Sequence, residues 1–198
     1  MLNISLGGYK GFSKYSEDIR SKWKTFDIEP RADYVFDLSS KKPFPLKRDS
    51  VDNYYASMIL EHIYPMNLIH VMSEIYRTLK PNGKIRIVVP DFRKGLSAYF
   101  NNELKWLSSS RCPTPDSEFP PTILGKLMGW FYTESIDKKG ALRQGHNMVF
   151  DFETLKYYLD NNWFKDIQQR SFNDCSEIFY GKDFQRYSDW ALYVEAIK

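Results

Sequence analysis

Gly7 and Gly8 follow a short apolar run, Leu2 to Leu6, and Asp27 stands 20 positions after Gly7, near the end of a second such run, Trp23 to Ile28. Without a Cβ, paired glycines let a ligand approach the backbone, and a helix starting after them can hold an anion on its first amides. A carboxylate that ends the next strand is placed to accept the two hydroxyls of a ribose. Taken singly, the glycines are an ordinary turn and the aspartate a solvated strand end. Jointly placed, they point to an adenosine-containing ligand. A dinucleotide fits less well. With Gly8 and Gly11 aligned on the last two glycines of G-x-G-x-x-G, Leu6 falls on the first, where a bulky residue resists the tight turn that a pyrophosphate requires.

Other residues could act on a second substrate. His62, with Glu61 beside it, follows a fourth short strand; it is placed either to take a proton or to cap and pack the next helix. Asp91 ends a fifth strand, where an acceptor would approach, and is equally an N-cap. His146, after Gly145, could reach the same site from a loop or serve structure alone. Trp130, with Phe131 and Tyr132, offers either an acceptor wall or core packing. Cys112 and Cys175 are too few for a disulfide framework, and no Cys-x-x-Cys or similar spacing suggests a metal, so none is expected.

The elements that must position these groups are short. Strands are expected at Leu2–Leu6, Trp23–Ile28, Tyr34–Phe36, Val51–Ala56 and Ile85–Val89, each bounded by Gly, Pro, Asp or Ser. From Met66 to Leu79 the spacing of Leu68, Val71, Met72, Ile75 and Leu79 is helical, and Lys80-Pro81-Asn82-Gly83 ends it. Residues 92–149 lose this rhythm. They hold two expected helices, Lys94–Leu107 and Thr122–Thr133, and read as a cap or lid inserted into a single domain spanning 1–198. A helix from Asp151 to Leu159 and strands at Phe164–Phe172 and Ser188–Ile197 follow. With no helix-length apolar pattern between them, the last two strands should pair antiparallel. The fold class is therefore α/β: a Rossmann-like, doubly wound, mostly parallel sheet ending in an antiparallel pair, with a helical cap insertion.

At 198 residues the chain can bury a substantial core, and 14 Tyr and 14 Phe supply much of it. The net charge of +3 is small and mixed in sign. Its basic clusters, Lys41-Lys42 and Lys47-Arg48, sit among prolines, so no nucleic-acid stripe is indicated. Met1 to Ser5 lacks the basic flank and long apolar run of a signal peptide, and no segment is long enough to span a bilayer. With so few cysteines, a cytoplasmic location is expected.

Leu2-Asn3-Ile4 with Gly7, Phe26-Asp27-Ile28, Phe36-Asp37-Leu38, Pro43-Phe44-Pro45, Ser50-Val51-Asp52, Leu60-Glu61-His62, Leu79-Lys80-Pro81-Asn82-Gly83 and Val89-Pro90-Asp91 stand in an order that resembles the class I S-adenosylmethionine (SAM)-dependent methyltransferases. The resemblance is nearest to the small, type 11-like methyltransferases associated with bacterial surface-polysaccharide genes. It covers residues 1–91 and returns from Gly145-His146 to Phe164. It implies SAM as cofactor, with Ser5 to Gly8 facing the methionine part and Asp27 with Ile28 the ribose and adenine edge. By the same resemblance Asp37 and Leu38 flank the adenine and Ser57 lies beneath the cofactor. One departure stands out, since the family's first loop usually has Gly where this chain has Ser5.

Methyl transfer from a sulfonium is a direct displacement, so the protein mainly aligns the partners, and no catalytic triad is required. The expected function is SAM-dependent methylation of a small-molecule or sugar-like acceptor. The alternative is a catalytically inactive binding or scaffold protein that keeps the fold, suggested by the Ser5-to-Gly8 loop. A nicotinamide oxidoreductase is disfavoured by Leu6 and by the paired C-terminal strands.

Overall fold

A computed structural model describes residues 1–7, 9–109, 119–131 and 145–198, with the backbone alone at Tyr9, Lys10 and Phe131. In chain order the elements are β1 (Asn3–Leu6), α1 (Tyr9–Phe12), α2 (Glu17–Lys22), β2 (Trp23–Asp27), β3 (Tyr34–Val35), β4 (Val51–Ser57), α3 (Pro65–Thr78), β5 (Leu79–Pro90), α4 (Phe92–Phe100), α5 (Leu104–Leu107), α6 (Ile123–Phe131), α7 (Phe152–Asp160), β6 (Lys165–Arg170) and β7 (Ala191–Ile197). The strands form one sheet in the order β3-β2-β1-β4-β5-β7-β6. The first five are mutually parallel, and β7 lies antiparallel to both β5 and β6. The expected mostly parallel sheet with an antiparallel ending is thus the observed one.

Strand alternation sorts the side chains onto two faces. Ile4 and Leu6 of β1, Tyr54 and Ala56 of β4, Ile85, Ile87 and Val89 of β5, and Leu192 and Val194 of β7 meet Leu68, Val71, Met72 and Ile75 of α3 and Leu155 and Leu159 of α7. This core is mainly aliphatic. The opposite face is more aromatic, with Trp23, Tyr55, Val88 and Tyr193 packed against Ala98, Leu107, Trp130, Phe179 and Trp190.

Two boundaries differ from expectation for local reasons. The helix α3 stops at Thr78, and Lys80-Pro81-Asn82-Gly83 lies within a long β5 that carries a register shift against β4. A side chain at Gly83 would meet the Asp52 carbonyl at 2.8 Å, so the strands approach closely there. The expected Lys94–Leu107 helix is broken at Asn101-Asn102, where Asn102 takes a left-handed φ of 55°. Among the described residues of the expected cap, α4 and α6 lie on the aromatic face, with Gly95 against the Trp130 ring. Cys112, Tyr132 and Thr133 lie outside the described residues.

The segment between β6 and β7 does more than turn the chain. Arg86 of β5, fully buried, binds Asp183 at 2.5 Å and Glu195 at 3.0 Å. It also donates to the carbonyls of Ser171 (3.0 Å) and Asp174 (3.1 Å). Two carboxylates and two carbonyls satisfy one guanidinium, which makes its burial tolerable. The result is a long connection strapped across the sheet, bringing Lys182 to Tyr187 to the carboxyl end of β1.

Candidate active site

The chain runs from β1 outward to β2 and β3, then crosses back to β4 on the other side of β1. Strand order therefore reverses at β1, the position where open α/β sheets bind ligands at their carboxyl ends. Two cavities lie there, and Gly7 lines both.

The smaller, of about 100 Å³, is lined by Gly7, Phe26, Asp27, Ile28, Phe36, Asp37, Leu38, Ser39, Ile59, His62 and Ile63. Gly7 and Asp27, read from the sequence as converging on one nucleoside, thus share one cavity. Gly7 has φ +65° and donates its amide to the Phe26 carbonyl at 2.9 Å. A Cβ there would sit 2.8 Å from Ile59, so glycine is needed twice over. Asp27 accepts the Glu29 amide through one carboxylate oxygen at 3.0 Å, which orients the group at the strand end. Asp37 accepts the Ser39 amide at 2.8 Å, turning Leu38 inward while Ile28 stays exposed at the rim. Phe26 and Phe36, with centroids 5.2 Å apart, supply an apolar aromatic wall. Glu74 of α3 holds the outer loop in place by accepting the Phe44 amide at 2.6 Å.

The larger cavity, about 480 Å³, is lined by Ser5, Leu6, Gly7, Gly11, Lys14, Tyr15, Tyr55, Ser57, Met58, Phe184, Arg186 and Tyr187. Rings and two cations dominate it. Beneath Ser5 lies Lys182, fully buried, with its ammonium 3.4 Å from the Ser5 hydroxyl. Burial pulls this lysine down to about 7, against the opposing pull of Asp183. Tyr15, Tyr55, Phe184, Arg186 and Tyr187 were not singled out from the sequence, nor was Lys182. For Lys182, Phe184, Arg186 and Tyr187 the signal was the aromatic and basic run between the last two strands, which reads as a connection until the Arg86 strap is seen.

The remaining site residues fall into two groups. His62 lines the smaller cavity, and its Nδ1 faces the Gly145 carbonyl at 3.1 Å. His146 sends Nδ1 to the Trp130 carbonyl at 2.7 Å, and the two imidazoles stand 5.0 Å apart. Burial lowers His146 to about 4 and raises the adjoining Glu61 to about 8. The fold therefore brings together Glu61, His62 and His146, a cluster with no spaced motif in the sequence. Asp91 instead caps α4, accepting the Arg93 amide at 3.1 Å, and is absent from the linings of both cavities. Trp130 is 1% exposed and packs between Trp106 and Trp190, so its indole is core rather than an acceptor wall. Gly8 lies outside the described residues.

Comparison with known proteins accords with this architecture. A family model described as a methyltransferase domain matches residues 17–87, from α2 into β5. No curated protein matches the sequence. Among solved structures, a SAM-dependent methyltransferase from Methanosarcina mazei is 15% identical with a TM-score of 0.60, covering 100% of this chain and 92% of that one. One from Archaeoglobus fulgidus is 16% identical with a TM-score of 0.56, covering 100% and 86%. Human N-acetylserotonin methyltransferase, solved in complex with SAM, is 16% identical with a TM-score of 0.54, covering 100% of this chain and 47% of that one. The fold is that of SAM-dependent methyltransferases of class I. These likenesses support SAM as the cofactor.

Proposed function

We propose that this protein transfers the methyl group of SAM to a small-molecule or sugar-like acceptor, in the cytoplasm and within the chemistry of surface polysaccharides. The observation that carries the reading is the shared cavity of Gly7 and Asp27 at the strand-order reversal, inside a methyltransferase fold. Its residues fit the cofactor. The smaller cavity offers an aromatic wall for adenine and a carboxylate for ribose. The larger offers Lys14 and Arg186 for a carboxylate, beside the rings of Tyr15, Tyr55 and Tyr187.

When bound, SAM supplies an electrophilic methyl carbon on a sulfonium that leaves as a neutral thioether. The chain's own part is alignment and solvent exclusion. Asp27 would orient the ribose, with Ile28, Asp37 and Leu38 bounding the base. Ser5 and Gly7 would accommodate the methionine end, and Ser57 would lie below it. A hydroxyl acceptor must also lose a proton, and His62 is the imidazole that lines the cavity.

Calorimetry with SAM and with its demethylated product tests this reading. Saturable binding of both is expected. No heat at millimolar ligand would leave the inactive scaffold, and binding of NADH without SAM would favour an oxidoreductase.

A further inference from the structure

Glu61, His62 and His146 each offer one ligand atom, and these atoms all lie within 4.8 Å of one another. Both imidazoles direct Nδ1 at backbone carbonyls, of Gly145 and of Trp130. A carbonyl can only accept, so Nδ1 carries the proton and the neutral ring has its lone pair on Nε2. That second bond is the usual brace of a metal-ligating histidine, because it fixes both tautomer and ring plane. Glu61 is 2% exposed, and its Oε2 is buried with no hydrogen-bond partner among the described residues. An oxygen left in that state is costly unless something binds it.

The cluster is also held in place before any ligand arrives. The Glu61 carbonyl accepts the amides of Asn147 (2.8 Å) and Met148 (3.1 Å). The Asn147 side chain donates to the His62 carbonyl at 2.8 Å. Residues 61–62 and 145–148 are thereby locked together.

We propose that Glu61, His62 and His146 bind a divalent transition-metal ion beside the smaller cavity. Two imidazoles and one carboxylate suit zinc, cobalt, manganese or iron rather than calcium or magnesium, and three protein ligands leave positions open. His62 lines the smaller cavity, so the site adjoins it. Resting on the methyl-transfer reading, the ion favours an oxygen acceptor, and with the His62 Nε2 engaged as a ligand it is the ion rather than His62 that promotes the acceptor's loss of a proton. A metal-bound hydroxyl releases its proton to water more readily, and its lone pair forms the O–C bond as the C–S pair leaves on sulfur.

Titration of the metal-stripped chain with Co²⁺, in the absence of SAM, tests the site. One equivalent should bind with visible ligand-field bands. Glu61→Gln and His146→Gln should each weaken binding by at least about tenfold, and His70→Gln should leave it unchanged. In the wild-type chain, Zn²⁺ should shift the imidazole ¹⁵N signals of His62 and His146 and spare His70, an outcome that depends on no variant folding. Absence of Co²⁺ bands at millimolar metal, or equal binding by Glu61→Gln, overturns the proposal. SAM takes no part in the titration, so its failure to bind would leave this result standing, and the converse holds.

Discussion

The Lys182 ammonium lies 3.4 Å from the Ser5 hydroxyl although the residues are 177 positions apart. It sits over the rings of Tyr15 (4.1 Å), Trp23 (4.6 Å), Tyr55 (4.7 Å) and Phe12 (5.5 Å). Its backbone carbonyl accepts the hydroxyls of Tyr15 and Tyr55. A charge therefore underlies the loop assigned to the methionine end of the cofactor. Burial holds the folded pKa near 7, with Asp183 opposing, whereas an unfolded lysine titrates near ~10.4. Between these values the unfolded chain binds the extra proton, so stability is least below pH 7 and rises with pH across the window. Urea unfolding at pH 6.5 and pH 9 should show this rise in the wild type and not in Lys182→Met. Parallel pH dependence in both proteins would refute it.

Asp27 and Asp37 both line the smaller cavity, and Asp27 is the one proposed to hold the ribose. Asp27→Ala should weaken SAM by about 10- to 100-fold, the loss of hydrogen bonds to a charged group of about 1.5–3 kcal/mol. Circular dichroism should be unchanged. Wild-type affinity in this variant would mean that the ribose is held elsewhere.

Gly7→Ala should be damaging beyond what one methyl group suggests. The new Cβ meets Ile59 at 2.8 Å, and φ +65° strains any L side chain, by about 1–2 kcal/mol. We expect a lower melting temperature together with loss of SAM binding. Adding Ile59→Ala should recover only part, because the backbone strain remains. Full recovery would show that the contact alone mattered.

Glu74 couples acid stability to the nucleoside side of the site. Arg77 donates to both of its oxygens at 2.7 Å, and the Phe44 amide adds a third bond. Chiefly the Arg77 bonds hold its carboxyl below the ordinary value. The stabilisation is thus present above about pH 4.3 and is lost as pH falls through the folded value. Glu74→Gln should flatten the acid limb of the stability profile and loosen the loop that presents Asp37 and Leu38. An unchanged acid limb would contradict the linkage.

The fold was largely readable because its strands advertise themselves. Ile85 to Val89 and Leu192 to Ala196 alternate or run apolar, and the absence of a helix before β7 implied its antiparallel pairing. Part of the smaller cavity's lining was readable for a similar reason: Gly7 and Asp27 sit at the ends of the first two strands, whereas Asp37 and Leu38 came from the family resemblance. The rest of the site was not, since its parts are joined by contacts with no local pattern. Nothing near Arg86 reveals that it grips Asp183 and Glu195, and nothing near Glu61 points to His146. Trp130 misled because an aromatic on a helix looks the same whether it faces a pocket or a core.

The Arg86 strap has a consequence for how the protein matures. The smaller cavity is assembled within residues 7–63, whereas the larger needs Phe184, Arg186 and Tyr187 to be carried back across the sheet. Such distant pairings close slowly, because the loop entropy must be met before the contacts reward it. During synthesis and refolding, the nucleoside cradle should therefore form first, and the compartment for transfer should close only once β7 has slotted between β5 and β6.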